Sequence, residues 1–206
     1  MERLTVVGAG GLGRTVADTA ELVGMWASIQ FVDDRYPALN STLHWPVVNT
    51  VKGWLESSET GEQFVVAIGE NSTRLNYLRR LLRAGMVPVS IVHPKAEFSR
   101  YAKLGVGSIV LGNAVVKIGS HLGQACIVNS TAAVGHDCMI GDAVHVGPGA
   151  KIAGDVSVGE RSWIGIGACV RQSIRIGDLA VVGAGAVVVK DVRNNALVKG
   201  VPAREG

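Results

Sequence analysis

The sequence has few aromatic and few charged residues, and both shortages narrow the class of protein. Aromatic residues make up 5% of the 206 positions and charged residues 18%, with 20 Lys and Arg against 17 Asp and Glu. A net charge of +3 is too balanced for a nucleic-acid-binding surface. Yet 48% of the chain is apolar and Gly fills 27 positions. We therefore expect a folded core of small and aliphatic side chains, with glycine at tight turns.

Long apolar runs and paired cysteines are also missing. The longest apolar stretch, residues 179–189, is rich in Gly and Ala and falls short of the ~18 residues that span a bilayer. The first residues lack a basic segment followed by an apolar one, so we expect no signal peptide and a cytoplasmic protein. Cys126, Cys138 and Cys169 show no CxxC spacing, which argues against a disulfide framework or a zinc site.

The second half of the chain carries a repeat of six residues. An aliphatic or aromatic residue recurs at every sixth position from Phe98 to Val188, and a small residue usually follows four positions later. This period fits neither the 3.6-residue helix nor the alternation of an open strand. It predicts a triangular solenoid, in which each hexapeptide forms one flat side and the aliphatic residue points inward. Narrow sides leave little room for aromatic rings, which explains the composition.

Residues 1–92 show a different pattern, in which short apolar runs alternate with amphipathic segments. The pattern predicts strands at 4–7, 28–32, 64–69 and 87–92 and helices at 14–23, 51–56 and 72–83. Ser72 is the expected N-cap of the last helix. The alternation predicts a small parallel α/β sheet.

A glycine fingerprint follows the first predicted strand. Gly8, Gly10 and Gly13 match GxGxxG, and Asp33 lies twenty residues beyond Gly13 at the end of the next strand. Such a turn lets a phosphate approach a helix N-terminus. Because 92 residues supply only one mononucleotide-binding half, a single nucleotide, such as a nucleotide-linked sugar, fits better than NAD. A tight turn without a ligand stays open as the alternative.

Several motifs along the chain resemble those of a known family. The aliphatic-Gly-x-x-small-x hexapeptide is similar to that of left-handed parallel β-helices, typical of trimeric acyltransferases, and KGVPAR at 199–204 resembles their G-[VN]-P-A-[KR] ending. With GAGGLG, FVDD, AIGEN, GHD and HVGPGA, the whole chain is similar to sugar acetyltransferases, including bacterial N-acetyltransferases of nucleotide-activated 4-amino sugars and sialic-acid O-acetyltransferase-type proteins.

This resemblance implies a fold and an assembly. The fold is an α/β N-terminal Rossmann-like half domain over 1–92, which binds the nucleotide sugar, followed by a left-handed parallel β-helix over 93–190. A tail over 191–206 then lies near coenzyme A. The resemblance also implies a homotrimer with active sites at the subunit interfaces, acetyl-CoA as co-substrate and no metal.

The resemblance also assigns site residues. The nucleotide sugar is held by Ala9, Gly10, Gly11, Asp33, Asp34 and Gly69. His136 is the catalytic base, Asp137 orients its ring, and the main-chain N–H of Gly154 is the oxyanion donor. The coenzyme meets His145 near its acetyl group and runs past Gly167 and Ala184.

Chemistry supports a histidine base, because transfer from a thioester to an amine needs a group that accepts the amine proton near neutral pH. His136 is third in its hexapeptide, so we expect it on an outward-facing flat side.

The basic residues near the C-terminus are consistent with binding of the coenzyme phosphates and equally with a solvated surface; they are Lys190, Arg193, Lys199 and Arg204.

Three other classes of function compete. A γ-carbonic-anhydrase-like metalloenzyme needs three converging histidines, but the spacings of His121, His136 and His145 are not multiples of an 18-residue coil, so they do not stack. A sialic-acid-type O-acetyltransferase and a non-catalytic nucleotide-sugar-binding protein stay open. The sequence favours an acetyl-CoA-dependent N-acetyltransferase acting on a nucleotide-linked amino sugar, at C4, by direct attack.

Overall fold

The N-terminal part of the chain forms an α/β domain. A computed structural model describes residues 3–58 and 60–206. The elements of this domain are β1 (Arg3–Val7), α1 (Gly11–Val23), β2 (Ser28–Val32), β3 (Ser41–Thr42), β4 (Trp45–Asn49), α2 (Val51–Ser57), β5 (Gln63–Val66), α3 (Asn71–Arg83) and β6 (Val87–Pro88). The sheet order is β3-β4-β2-β1-β5-β6, parallel except for the β3–β4 hairpin. The central strands are buried on both faces, as is usual for the parallel strands of an α/β sheet.

The structure differs from three of the predicted local features. The hairpin of β3 and β4 was not predicted. The strand expected over 87–92 is split, because β6 pairs with β5 whereas Ile91–Val92 joins the solenoid. Ser72 is not the N-cap of α3: Glu70 takes this place, and its carboxylate accepts hydrogen bonds from the N–H groups of Ser72 and Thr73. A carboxylate there also has a favourable interaction with the helix dipole.

The second part of the chain is a left-handed parallel β-helix with three faces. Face 1 contains β7 (Ile91–Val92), β10 (Ile109–Val110), β13 (Ile127–Val128), β16 (His145–Val146), β19 (Trp163–Ile164), β22 (Val181–Val182) and β24 (Leu197–Lys199), with β25 (Arg204–Glu205) antiparallel at its edge. Face 2 contains β8 (Glu97–Phe98), β11 (Val115–Val116), β14 (Ala133–Val134), β17 (Lys151–Ile152), β20 (Cys169–Val170) and β23 (Val187–Val188). Face 3 contains β9 (Lys103–Leu104), β12 (His121–Leu122), β15 (Met139–Ile140), β18 (Ser157–Val158) and β21 (Arg175–Ile176).

The register of the three faces follows from the six-residue repeat. Three hexapeptides make one coil, so that Ile127 pairs with His145 and His145 with Trp163, each 18 residues further along the chain. From Val110 onward the inward aliphatic residue of each strand is buried in one continuous apolar column, and the half-buried Val92, Phe98 and Leu104 of the first coil pack against it. The repeat begins one strand earlier than predicted, at β7, and on face 1 it continues one strand beyond Val188, to β24.

Three columns of residues turn the chain between the faces. From Gly107 to Gly185, each turn places one residue in the left-handed region, with φ between +53° and +74°. Corner A, between faces 1 and 2, contains Asn113, Thr131, Gly149, Gly167 and Gly185; corner B, between faces 2 and 3, contains Gly119, Asp137, Asp155 and Ser173; corner C, between faces 3 and 1, contains Gly107, Ala125, Ala143, Arg161 and Leu179.

The α/β domain packs on face 1 and corner C of the β-helix. One apolar cluster joins β1 and α1 to Ile91, Ile109 and Ile127, the outward residues of the lower strands of face 1. A second cluster joins α2, α3 and the other face of the sheet to Ala125 and Ala143 of corner C. None of the helices in the described ranges has the length and apolarity needed to cross a bilayer.

Candidate active site

His136, Asp137 and Gly154 lie together at corner B. His136 was expected on a flat side, but it occupies the turn itself, because the two-residue strands end before the third position of the hexapeptide. Its Nδ1 lies 2.8 Å from Asp137 Oδ2, and both side chains are more than 60% exposed. Since a carboxylate only accepts, Nδ1 carries the hydrogen, and in the neutral ring Nε2 is free to accept a proton.

Gly154 lies one coil above His136, against its ring. A Cβ atom at Gly154 would be 2.3 Å from Nε2 of His136, so only glycine leaves the ring in place. Within residues 3–58 and 60–206, the N–H of Gly154 donates to no backbone or side-chain acceptor. This corner therefore combines an exposed imidazole with a free main-chain N–H group.

His145 lies on face 1, just where that face emerges from beneath the α/β domain. It is 4% exposed, its Nε2 is 3.1 Å from Asn129 Nδ2, and its ring centre is 4.2 Å from that of Trp163. Asn129 Oδ1 accepts from the N–H of Ser130, so its amide donates to His145. Burial, and next the nearby Arg74 guanidinium, lower the pKa of His145 to about 4, while the Gly69 backbone opposes the shift. His145 is thus a neutral ring at pH 7.

A cleft of about 590 Å³ opens above His145, between the start of α3 and the upper strands of face 1. Gly69 and Ser72 lie on one wall, and Trp163 and Val181 lie on the other. The outward column of face 1 becomes gradually more exposed here, from the buried His145 to Val181, which is 40% exposed. The cleft joins the strand ends of the α/β domain to the β-helix.

The glycine turn after β1 leaves a helix N-terminus without a side-chain cap. Gly10 is the N-cap of α1 and makes no side-chain hydrogen bond, and no acidic residue lies in the first turn. A Cβ atom at Gly10 or Gly11 would meet nothing within 4 Å, whereas one at Gly13 would be 1.9 Å from the Gly8 carbonyl oxygen. Gly13 thus allows the close packing of α1 on β1, while Gly10 and Gly11 face open space, where an anion has access to the helix dipole.

The two strand-end carboxylates are already bonded within the protein. Asp33 Oδ2 accepts from the N–H of Ala9 at 2.8 Å, and Arg35 donates to both carboxylate oxygens. Asp34 accepts from the N–H of Val51 and from the Tyr77 hydroxyl. Asp33 therefore shapes the glycine turn directly, and Gly69, with open space around its Cα, lies on the same carboxyl edge of the sheet.

Asp33 gives a prediction about stability. The Arg35 guanidinium lowers the pKa of Asp33 from 3.8 to about 2, with the N–H of Ala9 adding to the effect and burial opposing it. A depressed carboxyl pKa stabilises the fold above pH 3.8, and this contribution disappears as the pH falls through about 2. We expect Asp33→Asn to lower the free energy of unfolding by about 1 to 2 kcal/mol at pH 7, allowing for the solvent around Arg35.

Urea unfolding at pH 7 and pH 3 measures this difference. It should shrink at pH 3, where the unfolded chain is largely protonated at this position. Asp18→Asn, on the exposed side of α1, is the control and should change little. A loss that is the same at both pH values would contradict the role of the Asp33 charge.

Gly167 and Ala184 lie at corner A, beside face 1. Both are exposed, and a Cβ atom at Gly167 would meet nothing within 4 Å. The structure thus brings the predicted coenzyme residues His145, Gly167 and Ala184 to one side of the β-helix. His136, Asp137 and Gly154 lie at corner B, across the width of face 2. Of the C-terminal basic residues, Arg193 pairs with Glu205.

The cysteines offer no activated thiol in the interior. Burial raises the pKa of Cys126 to about 12 and also raises that of Cys138, so both are protonated at pH 7. Cys169 is exposed on face 2. In the described part of the chain, His, Cys, Asp and Glu form no group of three or more with metal-binding geometry.

Sequence reasoning missed several residues around His145. Trp163 follows His145 by one 18-residue coil, so the repeat contained the signal that the two rings are in contact. Arg74 shares the apolar stripe of α3 with Leu75 and Leu78, where a charge is unexpected, and it is fully buried. Asn71 gave no signal, because its contacts depend on the packing of the two domains. Asn129 contacts His145 within the β-helix, one coil below it, and sequence reasoning did not single it out.

The chain is similar to several proteins over its full length. A profile described as the PglD N-terminal domain matches residues 3–81. The acetyltransferase domain of PglB from Neisseria gonorrhoeae FA1090, solved in complex with acetyl coenzyme A, is 39% identical, with a TM-score of 0.95 and coverage of 100% of this chain and 99% of that one.

Two further solved structures show the same domain pair. PerB from Caulobacter crescentus, solved with CoA and GDP-perosamine, is 34% identical, with a TM-score of 0.92 and coverage of 100% of this chain and 98% of that one. WeeI from Acinetobacter baumannii AYE is 25% identical, with a TM-score of 0.89 and both chains fully covered. No curated protein sequence matches the chain.

Fold and site together define a transferase of the hexapeptide-repeat class. With 39% identity over its whole length, the chain belongs to the family of left-handed β-helix sugar acetyltransferases represented by PglB and PerB, and it is an acetyltransferase. The resemblance inferred from the sequence motifs is thereby confirmed.

Proposed function

We propose that this protein transfers the acetyl group of acetyl-CoA to the C4 amino group of a nucleotide-linked amino sugar. The observation that carries the proposal is the full-length similarity to PglB, solved with acetyl coenzyme A, and to PerB, solved with CoA and GDP-perosamine. Both domains take part in this similarity, and we infer that the α/β half of this chain binds the nucleotide and the solenoid binds the coenzyme.

The α/β domain binds the nucleotide. The free N-terminus of α1 at Gly10 and Gly11 attracts the diphosphate, because unpaired N–H groups and the helix dipole favour negative charge. Ala9 is held in place by Asp33, and Gly69 leaves room beside the strand ends. From this edge the sugar extends into the cleft beside Trp163.

His136 acts as the general base. The neutral amine attacks the thioester carbonyl carbon, His136 Nε2 takes the proton that the amine loses, and the carbon–sulfur bond then breaks to release coenzyme A as its thiol once that proton is returned. Asp137 keeps the second ring nitrogen protonated and stabilises the imidazolium while it exists. The N–H of Gly154 donates to the oxyanion of the tetrahedral intermediate. No acyl-enzyme forms, in agreement with the protonated interior thiols.

We also propose that the active protein is a homotrimer with sites between subunits. Within one chain, the base at corner B and the neutral His145 on face 1 lie on either side of face 2, so a single chain does not surround one reaction centre. Corner B of a neighbouring subunit, placed against face 1 and corner A, brings a base to the acetyl group near His145 and to the pantetheine beside Gly167 and Ala184.

A binding and turnover screen tests this function. UDP-, dTDP- and GDP-linked 4-amino sugars are compared with their 4-hydroxy counterparts, by thermal stabilisation and by release of the coenzyme thiol. The cognate amino sugar should stabilise the fold by about 2.7 kcal/mol at 100 times its Kd and should release thiol in step with N-acetylation. Thiol release with the hydroxyl sugar would indicate an O-acetyltransferase, and binding without any thiol release would indicate a non-catalytic binding protein.

A further inference from the structure

A fully buried arginine connects the two domains beside the proposed site. Arg74 of α3 is 0% exposed and is the largest fully buried side chain among the described residues. Its Nε donates to the carbonyl oxygen of Ala125 and its Nη2 donates to that of Ala143, each at 2.8 Å. These two bonds connect Arg74 to corner C in two successive coils. Nη1 donates to the carbonyls of Ile68 and Gly69 at 2.9 and 3.0 Å.

Asn71 completes this set of contacts. Its Oδ1 accepts the remaining Arg74 hydrogen bond at 2.8 Å, so all five N–H groups of the guanidinium are used. Its Nδ2 donates to the carbonyls of Arg161 and Ser162, one coil above Ala143. The turn after β5 is therefore fixed to three consecutive coils of the β-helix.

Domain packing alone does not require this arrangement. Burying a guanidinium whose hydrogen-bond partners are all uncharged costs free energy that a leucine at the same apolar contact would not. What the arginine adds is geometry, because a rigid fork of five donors fixes the carbonyls of the turn and of the coils at defined distances. The turn that it fixes includes Gly69, which lies on the wall of the cleft.

The same guanidinium lies next to His145. Ala143, its partner at corner C, precedes His145 by two residues, and the positive charge acts on the imidazole. The other groups against His145 are uncharged: Asn129 from the coil below, Trp163 from the coil above and the backbone of Gly69. The charge that acts on Arg74 itself is that of Glu70, and the neighbouring Cys126 thiol is protonated and carries no charge.

We propose that Arg74 is a positioning residue for acetyl transfer. Its guanidinium fixes the position of the Ile68–Gly69 turn relative to the coils at Ala125 and Ala143. The amino sugar on this turn is thereby held in line with the acetyl group beside His145. This role rests on the proposed function. It acts through the turn and through His145, and the guanidinium itself does not contact the reacting atoms.

Three variants of the full-length protein test this role. Arg74→Lys keeps the charge but loses the fork, Arg74→Met loses both, and Arg79→Met is the matched control. Arg79 lies on the same helix and also reaches the β-helix, through Asp142 and Glu160, but its side chain is 41% exposed. Each variant is measured for thermal stability, for kcat and both KM values, and by NMR titration of the His145 ring.

We expect both Arg74 variants to raise the KM for the amino sugar and to lower kcat by about 10- to 100-fold, as a shift of the reacting groups by about 1 Å does. The pKa of His145 should rise in Arg74→Met and stay low in Arg74→Lys, because only the first removes the positive charge. A rise in the KM for the amino sugar that both variants share then reports the loss of the fork and not the loss of the charge. Arg79→Met should leave kcat and both KM values within about twofold of wild type. Folded Arg74 variants with wild-type kinetics would overturn the proposal.

A milder variant decides the question if the Arg74 variants do not fold. Asn71→Ser removes the link between the guanidinium and the Arg161–Ser162 coil but leaves four arginine hydrogen bonds in place. It should raise the KM for the amino sugar several-fold, and unchanged kinetics in folded Asn71→Ser would overturn the proposal. If the wild-type protein acetylates no amino sugar, the proposed function fails, whereas the His145 titrations still report whether Arg74 controls that ring.

Discussion

His136→Ala should slow acetyl transfer by several orders of magnitude while both substrates still bind. A general base contributes about 10²- to 10⁴-fold to a rate, so we expect kcat to fall by that factor. The side chain is exposed at corner B, and among the described residues its one hydrogen bond is to Asp137, so its removal leaves no buried polar group there unpaired. The thiol-release assay measures kcat, and thermal stabilisation by the nucleotide sugar measures binding.

The control for this variant is His44→Ala. His44 is also exposed and also pairs with a carboxylate, Glu21, but it lies at the edge of the α/β sheet. It should retain wild-type turnover. Asp137→Asn should lose less than His136→Ala, since the amide oxygen still accepts from Nδ1 while the negative charge is gone. A His136→Ala protein that acetylates at the wild-type rate would rule out this base.

Gly154→Ala should reduce turnover strongly with little effect on stability. The new Cβ would lie 2.3 Å from Nε2 and 2.5 Å from Cε1 of His136, so the ring must turn away from the atom that receives the proton. Because that ring is exposed, it moves at small cost, and we expect a stability change below about 1 kcal/mol. Displacement of the base should lower kcat by about 100-fold.

Gly112→Ala provides a closely matched control. Gly112 occupies the same third position of its hexapeptide and also lies beside a histidine ring, that of His93. Here the new Cβ would be 3.4 Å from the nearest ring atom, an ordinary contact. Gly112→Ala should therefore keep both stability and kcat. Equal losses in the two variants would mean that Gly154 acts through the backbone of the β-helix and not through His136.

The β-helix could be predicted from the sequence because the period of its repeat determines its geometry. Once the six-residue period is recognised, three hexapeptides make a coil, and the neighbours of any residue lie 18 positions away. The position of Gly154 above His136 follows from this spacing, whereas the roles expected for His136, Asp137 and Gly154 came from the family resemblance. The same arithmetic misplaced His136 on a face, because the length of each strand, two residues, was not evident from the period.

The polar contacts of Arg74 and Asp33 could not be predicted in the same way. Arg74 lies on an apolar helix stripe, and only the docking of α3 on corner C supplies the carbonyls that satisfy it. Asp33 matched a nucleotide-binding pattern, but the pattern did not show that Arg35, two residues later, occupies its carboxylate. The contacts of Arg74 join residues that are far apart in the sequence, and the contact of Arg35 with Asp33 depends on the local conformation of the chain. Hydrophobic periodicity predicts neither kind of polar contact.

Because the strands of face 1 stack in strict register, the number of coils below a side chain determines its position along the axis of the β-helix. Each coil adds one strand spacing of about 4.8 Å, so adding or deleting one whole coil below His145 would preserve the inward aliphatic column and the corners. It would nevertheless move the imidazole a full step relative to the α/β domain, which is anchored at Ile91, Ile109 and Ile127. Insertions or deletions of 18 residues would thus preserve the fold of the β-helix but would displace His145 from the α/β domain and impair catalysis. The number of coils below His145 therefore sets the geometry of the active site.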